Sequence, residues 1–402
     1  MSTALNRANM CMSQVTGTNS KHPESLIYGL YPTHCIGGSG CYLYDIENKK
    51  YVDYICGLGT NLMGYGNDKI AQHMQKYMFT GFSHSLPNFL EVEVAEKLKE
   101  IFVFVDRWKF LKTGGEACAA AVKIARARTG RVEVLSEGYH GWNDIFVSLS
   151  KPAYGCGNVS DVYSLVDIED VTKDTACVIV EPIITDDSLE RVEWLKSLRQ
   201  KCDETGTILI FDEVITGFRF KKYGVANAYN IEPDLIIIGK AMANGMPLAA
   251  VGGKSDLMDD RKWFVSSTYS GEILSLAACW KTVDLLQSDS RYDVIHLNAM
   301  AKKFVDAFND MPGDLKIQGY PTRGVFTGPD LHRGLFMQEM CKIGVLFGPS
   351  FFYNFDHIKF NDEMLDLIWN VKTKISRGQV TMEYHLPKSP FSKEIRDAAP
   401  KR

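Results

Sequence analysis

No stretch of this chain reaches the roughly 18 consecutive apolar residues that would read as a membrane-spanning helix. The nearest approach, Leu235–Gly253, is broken by Lys240 and Asn244. The ten cysteines are scattered singly, with no Cys-x-x-Cys pair and no Cys/His cluster at metal-ligand spacing. A metal site is therefore not expected, and the pattern predicts reduced, mostly buried thiols in a cytoplasmic protein. Net charge is only −4, so there is no electrostatic footprint for nucleic acid or an anionic membrane. Met1–Ser20 lacks the basic-then-apolar order of a secretory leader. Internal repeats and low-complexity tracts are missing too. At 402 residues, 45% hydrophobic and 23% charged, what is left is a soluble globular chain with room for two or three substructures.

What the chain does have is concentrated between Thr207 and Lys240. Two short apolar runs, Ile208–Phe211 and Leu235–Ile238, have the length and branching of buried parallel strands. Asp212 follows the first run, and Lys240 stands two places past the second, 28 positions beyond Asp212. In an open parallel sheet, ligands bind at the carboxyl ends of the strands. A lysine and an acid arriving there suit a pyridoxal phosphate site, which needs a Schiff-base amine and an anion for the ring nitrogen. Taken singly, each is an ordinary loop or surface residue.

Other segments point the same way. Lys112-Thr113-Gly114-Gly115-Glu116-Ala117 opens an alanine-rich helix that ends at Gly130. Glycines at a helix start let backbone N–H groups close on an anion, and the helix dipole favours it; a tight turn before a buried helix is the plainer reading. Gly138-Tyr139-His140-Gly141-Trp142 follows the strand-like Val132–Leu135, and an aromatic ring there can stack on a flat cofactor. His140 alone suits a hydrogen-bonded structural histidine. Val178–Val180 ends in Glu181-Pro182, a carboxylate facing the same crevice or simply a paired or capping acid. Toward the N-terminus, polar Met1–Lys21 is expected to be loose at its start. Cys41–Asp45 and Lys50–Tyr54 read as a hairpin. The glycines at 37, 38 and 40 do not complete a dinucleotide loop. Beyond Ser288, helical faces at Leu297–Met311 and Met364–Ile375 flank short strand-like pieces, and Leu386–Arg402 reads as an extended tail with three prolines.

Phe211-Asp212-Glu213-Val214-Ile215-Thr216-Gly217-Phe218-Arg219, with Pro233-Asp234 and Gly239-Lys240, resembles the signature of class III PLP-dependent aminotransferases. Within them it is most similar to the glutamate-1-semialdehyde aminomutase-like branch. The resemblance spans Ile36 to Ser376 and is most specific between Lys112 and Gly271. It implies an α/β chain of PLP fold type I, with a large domain at 68–287 built on a mostly parallel central sheet flanked by helices. A smaller α+β domain would come from an N-terminal segment, 1–67, and a C-terminal one, 288–402. It also implies pyridoxal 5'-phosphate held on Lys240 as an internal aldimine, with Asp212 keeping the ring nitrogen protonated. Tyr139 would cover one ring face, beside His140, and Val214 the other. Thr113, Gly114 and Gly115 would hold the phosphate, together with Thr268 of the neighbouring subunit of a homodimer. Glu181 would lie near cofactor and substrate, a catalytic residue alongside Lys240, Asp212 and Tyr139. The reaction implied moves an amino group from a small-molecule donor to a carbonyl acceptor through pyridoxamine phosphate.

Three departures bear on the substrate. The aminomutases carry an arginine for the substrate carboxylate after a Pro-x pair near the N-terminus; here Pro32-Thr33 is followed by His34, a poor substitute for a bidentate guanidinium. Their gating loop after Glu-Pro is longer and glycine-rich, whereas Ile183–Glu190 is short and has no glycine. Ser270-Gly271 runs into Glu272-Ile273 rather than Asn-Pro. These departures favour an intermolecular aminotransferase with His34 at the substrate position. Intramolecular amine transfer, or decarboxylation or racemisation on the same scaffold, are the alternatives; a silent scaffold would not need both Lys240 and Asp212.

Overall fold

Strands covered on both faces must be apolar along their length, and Thr175–Val180 and Leu235–Ile238 are buried at every position. They belong to a large sheet in a computed structural model that describes residues 3–147, 149–151, 155–156, 159–259, 263–388 and 392–393. The chain divides into two units, Met1–Asn67 with His296–Pro390, and Asp68–Ile295 with Phe391–Arg402.

In the second unit, seven strands form one sheet: β1 (Arg107–Leu111), β2 (Glu133–Glu137), β3 (Val162–Ser164), β4 (Thr175–Val180), β5 (Ile208–Glu213), β6 (Leu235–Ile238) and β7 (Ala249–Gly253). Their order is β1-β7-β6-β5-β4-β2-β3. Every neighbouring pair from β6 to β3 is parallel, while β7 runs antiparallel to both β6 and β1. The reason for the reversal is local. Parallel neighbours need a crossover long enough to return along the sheet, and between Ile238 and Ala249 the chain has only the 3₁₀ turn Lys240–Ala243 and a left-handed Asn244. It can only turn back.

Helix α1 (Gly114–Thr129) packs on this sheet through Ala117, Cys118, Ala120, Ala121, Ile124 and Ala125, all buried. Small side chains let the helix axis come close to the strands. Gly130 ends it in the left-handed conformation that closes a helix at low cost.

The first unit holds an antiparallel sheet of Cys35–Ser39, Tyr42–Asp45 and Lys50–Asp53, extended by Val345–Leu346 parallel to the last. A second sheet pairs Lys316–Gln318, Arg323–Thr327 and Ser350–Phe352. Its core is aromatic: Tyr54 stacks on His357 and Phe347, with ring centroids 4.0 and 4.6 Å apart. The N-terminus differs from expectation, because Thr3–Cys11 is helical and buries Leu5 and Ala8 against Val15 and Tyr28. Polar composition concealed those few apolar anchors. At the other end, Ser392–Lys393 pairs with Ser150–Lys151; the remainder of the expected tail from 389 onward lies outside the described residues.

One buried charge in this unit makes stability depend on pH. Lys372 is 2% exposed, and its ammonium donates to the carbonyls of Phe308 and Leu315, at 2.7 and 2.9 Å. Burial, and secondarily Lys316, push it down from 10.5 to about 8. Between those values the unfolded chain binds the proton that the folded chain has released, so stability rises with pH. The slope reaches at most about 1.4 kcal/mol per pH unit. Urea unfolding across that window should show the rise in the natural chain and not in Lys372→Met; parallel slopes in the two would contradict the assignment.

Candidate active site

Strand direction and register bring the chemistry to one edge. Glu137 pairs with Val180, Val180 with Phe211, and Ile238 with Glu213. The residues just past these pairs therefore leave the sheet side by side: Gly138-Tyr139-His140, Glu181, Asp212-Glu213-Val214 and Gly239-Lys240. β1 runs the same way and delivers Thr113-Gly114-Gly115 to that edge.

Asp212 is 4% exposed. Its Oδ2 accepts from His140 Nδ1 at 2.7 Å and from the Cys118 thiol at 3.3 Å, and its Oδ1 accepts from Val214 N–H at 3.0 Å. These donors replace the water a buried carboxylate has lost. Side chains alternate across a strand, so Glu213 faces the opposite way. It accepts from Val225 N–H, Ala226 N–H and the Thr216 hydroxyl, at 2.7, 2.8 and 2.8 Å. Of the adjacent acids, one faces α1 and the crevice, and the other fastens the chain behind.

Cys118, His140 and Asp212 could be read as metal ligands, since their ligand atoms lie within 4.8 Å of one another. The chemistry argues otherwise. Burial, reinforced by Asp212, pushes the Cys118 thiol well above the usual range, whereas a metal needs the thiolate. The Cys118 proton is the one it donates to Asp212. His140 Nδ1 faces Asp212, and its Nε2 is buried with no hydrogen-bond partner among the described residues.

At the start of α1, Thr113 is the N-cap: its hydroxyl oxygen accepts from Glu116 N–H, while Glu116 Oε2 accepts from Lys112 and Thr113 N–H. Gly114 and Gly115 then occupy the first helical positions, whose N–H groups no helix satisfies internally. The approach there is close. A Cβ on Gly141, at φ +103°, would stand 2.6 Å from Gly115 Cα, and one on Gly114 would stand 3.0 Å from Val214 Cγ1. Val214 thus lies against the cradle on one side and, at 3.4 Å from a Cβ position on Gly239, against the lysine's neighbour on the other. Lys240 takes φ +42°, uncommon for a residue with a side chain.

Glu181 is 8% exposed, and its Oε1 accepts from Tyr139 N–H at 2.6 Å. It therefore fixes the main chain that carries the Tyr139 ring. Gly138, at φ +120°, lets the two approach, since a Cβ there would meet Glu181 Cγ at 2.8 Å. Tyr139 itself is 46% exposed.

Thr268 sits on an exposed turn of the same unit. That turn runs into Glu272, which caps helix Ile273–Ser288 and pairs with Lys112, beside the cradle, at 3.0 Å. His34 belongs to the other unit, half-buried, with Nδ1 3.1 Å from the Thr33 hydroxyl, in a cleft of about 450 Å³ that Tyr28 and Glu47 also line. Reading the sequence missed Cys118, one undistinguished thiol among ten. It also missed the Lys112–Glu272 pair, whose members stand 160 positions apart.

The fit to pyridoxal phosphate follows from the donor set. There are two glycine N–H groups at a helix start for a phosphate, a buried ionic acceptor for a ring N–H, and an amine on the adjoining strand end. Comparisons with known proteins agree. The family model described as Aminotransferase class-III matches residues 31–163 and 158–368. The glutamate-1-semialdehyde 2,1-aminomutase of Francisella philomiragia is 34% identical over 308 residues, which is 70% of this chain and 71% of that protein. The one from Syntrophobacter fumaroxidans is 28% identical over 387 residues, 84% and 88% of the two chains. Among solved structures, a Sphingopyxis sp. MTA144 protein in its PLP internal aldimine form superposes with a TM-score of 0.84, at 24% identity over 95% of this chain and 98% of that one. An omega-transaminase from Sphaerobacter thermophilus gives 0.81 at 19% identity, over 93% and 97%.

Proposed function

The chain belongs to the class-III aminotransferases, with PLP fold type I and pyridoxal 5'-phosphate as its cofactor, and from that premise we propose an intermolecular transaminase reaction worked by Lys240 and Asp212. The observation that carries the reading is the buried, three-donor Asp212 carboxylate on the strand beside the one leading to Lys240. When bound, pyridoxal phosphate supplies an electron sink for a substrate carbon that has lost its proton. Gly114, Gly115 and Thr113 hold its phosphate, and Asp212 supplies the fixed negative charge for its ring nitrogen. His140 and Cys118 keep Asp212 oriented. Val214 and Tyr139 would confine the ring. Lys240 Nζ would anchor the cofactor, and its amine would serve as the general acid–base that moves a proton at the substrate carbon. Glu181 keeps Tyr139 in place at the substrate edge.

Borohydride reduction and peptide mapping should put the phosphopyridoxyl label on Lys240, and adding an amino donor should convert the cofactor to its amine form. Asp212→Asn should keep the label while turnover falls by orders of magnitude, because a charge-assisted bond of about 1.5–3 kcal/mol is lost along with the electron sink. A label on another lysine, or near-normal turnover in Asp212→Asn, would refute the assignment.

Intramolecular amine transfer is the second reading, supported by the names of the curated relatives. His34 and the short segment after Pro182 weigh against it. If His34 contacts substrate, His34→Arg should tighten binding of acidic amino compounds; unchanged affinity across carboxylate ligands would remove that argument.

Among the described residues no helix is long and apolar enough to cross a membrane, and all ten cysteines are free thiols, as a reducing cytoplasm would keep them. A homodimer with shared sites is supported by large apolar side chains left at the surface of the large unit: Phe79, Leu86, Phe89, Trp142 and Phe264 are each more than 70% exposed. Thr268 then reaches the partner's phosphate. Mixing Lys240→Ala with Thr268→Ala chains by refolding should restore activity, since a hybrid dimer has one intact site. No recovery, or a monomer in sedimentation, would disprove the shared site.

A further inference from the structure

The segment after Glu181 leaves the same strand edge, and one side chain fastens it. Arg191, in the first turn of helix Leu189–Thr205, donates from Nε to the Pro182 carbonyl at 2.9 Å and from Nη2 to the Glu181 carbonyl at 3.3 Å. Nη1 and Nη2 also form a bidentate pair with Glu137 at 3.1 and 2.8 Å. The guanidinium lies 4.3 Å from the Trp194 ring, and its main-chain N–H donates to the Ser188 cap. Glu137 is the last residue of β2, one step before Gly138-Tyr139, and Glu181 directly follows β4. Arg191 therefore ties together the ends of two neighbouring strands just where the chain carrying Tyr139 and the side chain of Glu181 depart. It also bonds both ends of the stretch 182–188, through its guanidinium at one and its backbone at the other.

We propose that Arg191 is a positioning residue that makes this stretch a fixed rim and holds the Glu181–Tyr139 hydrogen bond in register. A planar fork with four acceptors in three residues suits the task, and a point charge such as lysine does not. The proposal deepens the transaminase reading, and its consequence for substrate is an acceptor that enters past a standing wall rather than under a closing flap.

The test reads the cofactor-free protein first, so it can fail separately from the cofactor assignment, whose failure would be a missing label on Lys240. Amide exchange at Tyr139 reports the bond to Glu181. In Arg191→Met it should speed up about tenfold or more, the equivalent of losing a charge-assisted bond, while amides of β5 and β6 keep their natural rates. In the loaded enzyme, kcat should fall more than KM changes, and the visible circular dichroism of the cofactor should weaken as Tyr139 loosens. Tyr139 exchange at the natural rate in a folded Arg191→Met protein overturns the proposal. If that variant does not fold, Arg191→Lys decides, because lysine can reach Glu137 but cannot also span two carbonyls. Faster Tyr139 exchange is again expected, and an unchanged rate overturns the proposal there too.

Discussion

A carboxylate buried at the end of a central strand must find donors to replace the water it has lost, and much of the large unit is arranged around that need at Asp212. Leaving such a group unpaired would cost several kcal/mol or force it to take up a proton. Three donors answer, one each from α1, from the turn after β2 and from the strand's own continuation. Each donor imposes a condition elsewhere. Cys118 reaches Asp212 only because alanines let α1 settle on the sheet. His140 arrives only because Gly141 can lie against Gly115. The glycine that admits the histidine's turn is thus packed on Gly115 at the start of α1, so the helix start and the Asp212 cluster share one set of close contacts.

Much of this edge could be read from residues alone, because its logic is periodic and local. Apolar runs at Leu235–Ile238 and Val178–Val180 announce strands, and a charged residue past each announces where the strand leaves the core. The glycines ahead of an alanine-rich segment announce a helix start. What stayed hidden is what only three dimensions decide. Asp212 and Glu213 are equivalent acids in sequence, and the pleat alone assigns one to the crevice and one to Val225 and Ala226. The reversal of β7 follows from the lack of a crossover helix, and no strand signal carries that. The helix at Thr3–Cys11 rests on two buried apolar residues in a polar stretch. Cys118 and Arg191 gain their meaning from partners 94 and 54 positions away.

The acids near the edge divide the work by environment. Glu213 is pushed up by burial but receives three donors, a fastening that keeps the segment after β5 rigid. Glu181 spends one oxygen on a backbone N–H. Asp212 alone combines burial, orientation and a place beside the lysine strand. In the reading proposed above, a carboxylate that pairs with a protonated ring nitrogen needs that combination, because freedom to rotate would weaken the pairing.

The choice between passing an amine to a second molecule and returning it to the first turns on retention. An intramolecular shift requires that the half-reacted molecule stay put while the cofactor changes form, and retention is what a mobile closing segment provides. Transfer between molecules requires the first product to leave. Here the stretch after Pro182 is short, free of glycine and bonded at both ends by Arg191, which on the proposal above makes it a fixed wall rather than a closing segment. His34 points the same way from the sequence, since imidazole cannot match the bidentate grip of arginine on a carboxylate. A stretch fastened at both ends, and an imidazole where the sequence of an aminomutase is expected to carry a guanidinium, both suit an enzyme that exchanges its substrate midway through the cycle.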